Sequence, residues 1–506
     1  MKTIPTLITD FYKVSHRAMM QEGTTHTLIN MTARSNKYAT KLEGVDDGII
    51  LAGVQGFKKE LEEMFEQHFF DKFLSEVKEE YSYVIRTSLG VEPDTKHIED
   101  LWKLRYLPLQ ITSLEEGKLI PIKVPFIQIV NTDERFAWLP TYIETYMSSY
   151  LWQMITNATT AFQYRVLFER AAKKDGTDPF SVKIQGHDFS MRGLACPEAS
   201  RNGFGHLLSF LGTDTIPAII YANEYYDGKN SQLVGCSVPA SEHSIMTQRG
   251  VAGEEDVFKH IVGKAYPTGI VSVVADSFNL WNFIEKIMVG NKELIMNRQP
   301  ASNGLPAKVV VRPDSGDPVE ILCGIEGFDN GENRTPEQKG VVELLWENFG
   351  GTVNDKGYKV LDSHVGVIYG DSITLERAKE IIRRLHDKGF ASGNVVYGIG
   401  SYTYQVNSRD THGMAAKSTA TRVVTNGEAE NRVIFKDPIT DSGTKKSAKG
   451  LLSVVEKDGK MVLEEISNFD LLEYSKGNVD TGLLQVRNTS LNEIRDNVEA
   501  EVVKFI

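Results

Sequence analysis

Apolar residues along this chain come in two rhythms. The first is a set of short runs rich in β-branched residues that each stop at a polar tip. Val309-Val310-Val311 ends at Arg312-Pro313-Asp314-Ser315-Gly316. Three β-branched residues in a row read as a buried strand, and Pro313 holds Arg312 in an extended conformation. Val271-Ser272-Val273-Val274-Ala275 leads to Asp276-Ser277, and Val365-Gly366-Val367-Ile368-Tyr369 leads to Gly370-Asp371-Ser372. A fourth run, Asn394-Val395-Val396-Tyr397-Gly398-Ile399, ends in Gly400-Ser401. Buried strands that share polar C-terminal ends predict a ring of parallel strands with a site at one mouth.

The second rhythm is helical. Phe57, Leu61, Met64, Phe65, Phe69 and Phe73 recur at helical spacing and predict a helix over about 57–80. Another is expected from Pro140 to about Lys174, aromatic-rich and nearly uncharged before Arg165, hence buried and a candidate for burial between subunits. Leu375, Ala378, Ile381, Ile382 and Leu385 mark an amphipathic helix closed by Gly389. Between the first two, Gly117 to Thr132 reads as strands interrupted by Pro121 and Pro125. From about residue 180, where Ser181-Val182-Lys183-Ile184 is the expected strand before His187-Asp188-Phe189, strands and helices alternate, which indicates an α/β architecture.

Each Asp-Ser tip has a plainer meaning, because Asp and Ser are preferred helix N-caps. Asp317-Pro318 is such a helix start. Arg312 is different, since no capping role requires a guanidinium. Residues 441–450 read as a polar, glycine-containing loop.

A chain of 506 residues can bury a large core and a smaller second one. Hydrophobic content of 41% and charged content of 25% are those of a globular protein. A formal charge of −12 argues against general nucleic-acid binding, for want of a dominant basic field. Cys196, Cys236 and Cys323 have no metal-ligand spacing and suit a reducing cytosol. The absence of an apolar leader or membrane-length run leads us to expect a cytoplasmic protein.

Four further residues carry candidate chemistry. Arg192 stands beside Gly193 just past a strand end, and Asp214 lies in the turn Gly212-Thr213-Asp214-Thr215. His243 follows a small-residue loop, and Arg409 lies beyond the Gly400-Ser401 tip. Arginines converging on one mouth would grip a phosphorylated ligand, and glycines at strand ends admit phosphate close to backbone N–H groups. A lone arginine is more often a surface residue and a lone histidine a structural one. The Gly398-Ile399-Gly400 step lacks the last glycine of a dinucleotide fingerprint, and no Walker-A sequence occurs. The residues alone therefore point to a phosphate-handling α/β enzyme.

Taken in order, Thr9-Asp10-Phe11-Tyr12-Lys13-Val14-Ser15-His16, His187 to Gly193, Gly212 to Thr215, Ser237 to Ser244, Val273 to Ser277, Arg312 to Gly316, Gly370-Asp371 and Phe435 to Pro438 resemble the type II phosphoribosyltransferases, in their nicotinamide-using branch. The resemblance covers nearly the whole chain. It implies an incomplete (β/α) barrel of mostly parallel strands, residues 146–419, beside a smaller α+β domain, residues 1–145, completed by the C-terminal segment 420–506. It also implies a homodimer with active sites at the subunit interface. The implied reaction joins nicotinamide to 5-phosphoribosyl-1-pyrophosphate, giving nicotinamide mononucleotide and pyrophosphate in NAD salvage.

By the same resemblance Asp214 reads the amide, and Phe189 and the partner subunit's Tyr12 sandwich the ring. Arg192, His243 and Arg312 hold pyrophosphate with Mg²⁺, and Asp314 contacts the ribose. Ser272, Gly370, Asp371, Gly400, Ser401, Arg409 and Lys417 lie on the ribose and phosphate side, with Asp10 and Arg34 as further candidates from the partner. ATP would phosphorylate His243, and Asp276 is expected to orient that ring as the acid of a triad orients its base. The pattern departs from the family at Gly400-Ser401-Tyr402 for a triple glycine, at Ala415 for a serine before Lys417, and at Ser190-Met191 for Gly-Tyr. Rival readings are a nicotinate or quinolinate phosphoribosyltransferase, for which Asp214 has the wrong charge, and a catalytically silent binding homologue.

Overall fold

The computed structural model describes residues 3–231, 233–327, 334–370, 372–440 and 447–506. Strand β1 (Thr24–Thr32) sits at the centre of a six-stranded sheet. One side is built by β2 (Leu109–Ser113) and β3 (Pro125–Asn131), which pair antiparallel. On the other side Ala415–Thr425 runs along β1, with Glu428–Val433 outside it, and Leu484–Gln485 joins the β2 edge. The far end of the chain thus completes the sheet that the beginning starts.

Helix α1 (Leu139–Asp175) runs unbroken through residue 145, where the two units were expected to divide. No glycine or proline follows Pro140 within it, so nothing ends it before Gly176 in the left-handed conformation. It packs against β1 and against the helices of the barrel, and is buried along most of its length within this one chain.

The barrel strands are β4 (Gly186–Phe189), β5 (Gly212–Thr213), β6 (Ile270–Val274), β7 (Lys308–Arg312), β8 (Val365–Tyr369) and β9 (Val395–Gly400). They pair in parallel in the order β5-β4-β9-β8-β7-β6. The curled sheet is bridged by the 236–241 segment. Cys236 donates its N–H to Leu211 (2.7 Å) and Ser272 its N–H to Pro239 (2.8 Å), so this segment lies between the two edge strands. Six strands and one irregular stave make the incomplete barrel expected from the sequence.

On β7, Val309 and Val311 are buried toward the helices, while Lys308, Val310 and Arg312 alternate with them and are half-buried. The helix after β8, α2 (Leu375–Asp387), starts at a Thr374 cap and is followed by Gly389 at φ +75°. Asp317 caps the helix Pro318–Cys323, accepting from Val319 N–H at 2.9 Å.

Two local expectations are corrected. Ser181 to Ile184 is helical within Pro179–Gln185, because Asp178 caps it and Pro179 starts it; the strand begins at Gly186. The helix expected over 57–80 divides, with Val54–Phe65 and Leu74–Leu89 either side of a wide turn, so Phe73 ends 76% exposed. No helix of the described residues is long and apolar enough to cross a membrane.

Candidate active site

Since all six barrel strands are parallel, their C-terminal ends share one mouth. Asp276 (after β6), Arg312 and Asp314 (end of β7), Gly370 (after β8), Ser401 (after β9), Phe189 (end of β4) and Asp214 (after β5) meet there. Asp371 lies outside the described residues.

Main-chain packing at this mouth needs glycine in two places. A Cβ on Gly398 would stand 3.0 Å from the Phe189 ring, and one on Gly370 would stand 2.7 Å from the Asp314 carboxylate. Glycine lets the Phe189 ring and the Asp314 carboxylate lie directly on neighbouring strands. The Arg312 guanidinium is 6.0 Å from the Phe189 ring centre, within cation–π range. It also donates to the Ser241 carbonyl at 2.5 Å, which ties β7 to the closing segment. Burial lowers the Arg312 pKa while Asp314 and Asp214 oppose it, and a guanidinium remains cationic throughout. Arg192 is exposed on the turn Met191–Gly193, where Gly193 packs against Ser401, and its charge reaches Arg312.

His243 begins a short helix after the closing segment. Its Nδ1 lies 3.0 Å from the Ser277 hydroxyl, and its Nε2 3.6 Å from Asp314 and 3.9 Å from Asp276. Asp276, expected to orient this ring, lies beyond hydrogen-bond reach of it. One oxygen of Asp276 accepts instead the main-chain N–H groups of Asp314 (2.8 Å) and Ser315 (2.7 Å). The other, Oδ1, is buried, has no partner among the described residues and faces His243. The residue that meets the histidine is therefore Ser277.

Asp214 is held by two donors on the same oxygen, His187 Nε2 at 2.9 Å and the Ser237 hydroxyl at 2.5 Å. Burial pushes its pKa up, but the His187 hydrogen bond, the His187 charge, Ser237 and Arg312 together outweigh that and hold it below the usual carboxylate range. His187 and Phe189 lie on the same strand face with rings 4.6 Å apart. Ser272 is buried, and its hydroxyl has no partner among the described residues.

A second basic group forms against the N-terminal sheet. Burial lowers the Lys417 pKa, and Arg34, Lys13 and Arg409 lower it further against Glu144. Arg34 donates to the Gly413 carbonyl at 2.9 Å, and Lys13 pairs with Glu144 at 2.8 Å. Beside them Tyr12 is 57% exposed and Asp10 accepts from Thr145 at 2.8 Å. Sequence reasoning thus grouped the barrel-mouth residues but passed over His187, Ser237 and Ser277. The period-two spacing of His187 and Phe189 was the signal available for one of them.

Residues 184–473 match the family model "Nicotinate phosphoribosyltransferase (NAPRTase) family". The chain is 45% identical over 504 residues to the nicotinamide phosphoribosyltransferase of Acinetobacter baylyi, covering 98% of this chain and 97% of that one. The chain belongs to the nicotinate phosphoribosyltransferase family. It is also 32% identical over 472 residues to the nicotinamide phosphoribosyltransferase of Mycoplasma pneumoniae, with 88% and 94% covered. The crystal structure of human nicotinic acid phosphoribosyltransferase has the same fold, with TM-score 0.51 and 14% identity over 98% of this chain and 93% of that one. The chain is accordingly a phosphoribosyltransferase.

Proposed function

We propose that the protein is a nicotinamide phosphoribosyltransferase, condensing nicotinamide with 5-phosphoribosyl-1-pyrophosphate to nicotinamide mononucleotide and pyrophosphate in NAD salvage. The observation that carries this reading is an ionised Asp214 at the same mouth as the Phe189 ring and the Arg312 guanidinium. A carboxylate accepts a hydrogen bond from an amide NH₂ and repels a ring bearing its own carboxylate. The curated relatives named for nicotinamide support the same choice.

The pyridine nitrogen is an uncharged nucleophile, so no general base has to activate it. Phe189 and Tyr12 of a partner subunit align the ring with the sugar carbon, and that alignment removes much of the entropic barrier. The new C–N bond forms as the C–O bond to pyrophosphate breaks. Positive charge grows on the ribose near Asp314, and negative charge on the leaving group near Arg192, Arg312 and His243. Gly370, Ser401 and Ser272 complete the sugar side.

Among the described residues no cluster of three metal-ligating side chains occurs. Asp276 Oδ1, which has no partner among the described residues, and the Asp314 carboxylate, both facing His243 Nε2, would hold Mg²⁺, which would neutralise leaving-group charge when bound. ATP is the coupling substrate in this reading: a lone pair on the His243 ring bonds the γ-phosphorus, the bond to ADP breaks, and the ring keeps its other N–H. The half-exposed ring is accessible for this. Arg34, Arg409, Lys417, Tyr12 and Asp10 are assigned to the phosphate end and ring face of a partner's site in a cytoplasmic homodimer.

The test is pyrophosphate release from the purified protein given phosphoribosyl pyrophosphate and Mg²⁺ with either nicotinamide or nicotinate, with and without ATP. Turnover on nicotinamide, with amide preference lost in Asp214→Ala, supports the proposal. Preference for nicotinate would overturn it in favour of the acid-using enzyme, and no release with either base in favour of a silent homologue.

A further inference from the structure

The polar groups around Asp214 are distributed unevenly. Both donors converge on Oδ1, from His187 Nε2 and the Ser237 hydroxyl. Among the described residues no side-chain or main-chain donor reaches Oδ2. The main chain is fixed as well, because Asp214 N–H donates to the Asp188 carbonyl at 2.9 Å. The His187 ring has little freedom to swing away. Its Nδ1 is pressed against β5, where a Cβ on Gly212 would stand only 2.8 Å from it, and its face lies along Phe189.

We propose that His187 and Ser237 are specificity-determining positioning residues, which saturate one oxygen of Asp214 and present the other as a bare acceptor to the amide of the ring substrate. This rests on the reading of Asp214 given under Proposed function. An ionised carboxylate has no proton to give, so its neighbour Nε2 must carry one and the serine hydroxyl must spend its own on Oδ1. Oδ2 is left able only to accept. An amide N–H satisfies it; the carboxylate of an acid ring meets it charge to charge. The acceptor and its two donors come from three different staves: Asp214 from the tip of β5, His187 from β4 and Ser237 from the segment closing the barrel. The selectivity therefore depends on the ring of strands being closed. Without the two donors the carboxylate can rotate and take up a proton, and a protonated Asp214 can donate to an acid ring.

The experiment compares His187→Phe, His187→Gln and Ser237→Ala with the parent enzyme, measuring kcat and KM for nicotinamide and nicotinate and KM for phosphoribosyl pyrophosphate. Phe keeps the ring contact without a donor, and Gln restores an N–H near the position of Nε2. Losing one hydrogen bond to a charged group predicts that His187→Phe raises the nicotinamide KM about tenfold and lowers the nicotinamide-to-nicotinate preference by about the same factor. His187→Gln should recover most of that, while KM for phosphoribosyl pyrophosphate moves less than about twofold. Ser237 is exposed, so Ser237→Ala carries the test alone if His187→Phe does not fold. A preference unchanged in Ser237→Ala and His187→Phe, or equal loss of affinity for all three substrates, overturns the inference. Asp214→Asn is the control: if it too keeps the amide preference, the parent reading fails. If it loses the preference and the other variants do not, only the present inference fails.

Discussion

The carboxylate of Asp276 receives the main-chain N–H of Asp314 at 2.8 Å and, through the same oxygen, that of Ser315 at 2.7 Å. The side chain after β6 thus fixes the backbone after β7, just beyond Arg312. It is 7% exposed, so removing it leaves two N–H groups poorly solvated. Asp276→Ala should shift the Asp314 tip, and a displacement of that kind costs about 100-fold in kcat/KM for phosphoribosyl pyrophosphate. Asp276→Asn keeps an acceptor and should lose clearly less. Equal loss in the two would mean that the negative charge, rather than the tip, is what matters. Steady-state kinetics on both variants checks this.

Arg495 on the C-terminal helix α3 (Leu491–Val503) makes a comparable tie from outside the barrel. Its guanidinium donates to the carbonyls of Leu207 (2.8 Å), Leu233 (2.8 Å) and Val234 (2.5 Å). Burial lowers its pKa to about 10, so it is charged at neutral pH. Val234 leads directly into the closing segment and so to Ser237. Arg495→Ala should destabilise the fold by roughly 3 kcal/mol, since several charge-assisted hydrogen bonds are lost together. It should also raise KM for the ring substrate more than for phosphoribosyl pyrophosphate. Thermal unfolding and the two KM values check this, and Arg495→Lys, with a single donor group, should fall between.

The barrel was legible in the sequence because its strands are buried and parallel, so each reads as an apolar run with its chemistry concentrated at one end. Arg312 stood out because no turn or cap calls for a guanidinium. What the sequence could not show was which tip holds which. Asp276 looks the same in sequence whether it caps a helix, orients a histidine or anchors another loop, and its partners lie 38 and 39 residues away. His187 and Ser237 were equally hidden, since their common target Asp214 is brought to them only by the pairing of β4 with β5 and by the bridge of the closing segment. The Ser181 to Ile184 stretch misled for a local reason: the Asp178 cap and Pro179 outweigh β-propensity. The Asp317 cap and the Gly389 turn were read correctly, being signals complete within a few residues.

If the basic group of Arg34, Lys417 and Arg409 serves a partner's site, two inactive variants should rescue each other. Arg34→Ala removes a group proposed to act across the interface, and Arg312→Ala one that acts within its own barrel. A mixed dimer then has one site with both defects and one with neither. Equal mixing with free exchange should restore about a quarter of wild-type activity, because half the dimers are mixed and each has one intact site. Separately purified and merely combined without exchange, they should stay inactive. No recovery after unfolding and refolding them together would place Arg34 in its own subunit's site or outside any site.

The last expectation concerns stability at low pH. Asp175, at the end of α1, is fully buried and accepts from His386 Nε2 (2.9 Å), Ser392 N–H (2.6 Å), Thr177 N–H (2.9 Å) and the Thr177 hydroxyl (2.7 Å). Burial raises its pKa, but the His386, Ser392 and Thr177 hydrogen bonds outweigh it and bring the value down to about 2 from 3.8. A carboxyl whose pKa is depressed on folding stabilises the fold above its unfolded value and loses that stabilisation as pH falls toward the folded one. The contribution is roughly 2 kcal/mol, present above about pH 4 and lost progressively down to about pH 2. Asp175→Asn should therefore lower stability at pH 7 and flatten its decline across that window. It also leaves Ser392 N–H and His386 with a poorer acceptor at the foot of the barrel. Denaturant unfolding of the parent and Asp175→Asn between pH 2 and pH 7 measures both, and parallel curves would show that Asp175 contributes no proton-linked stability.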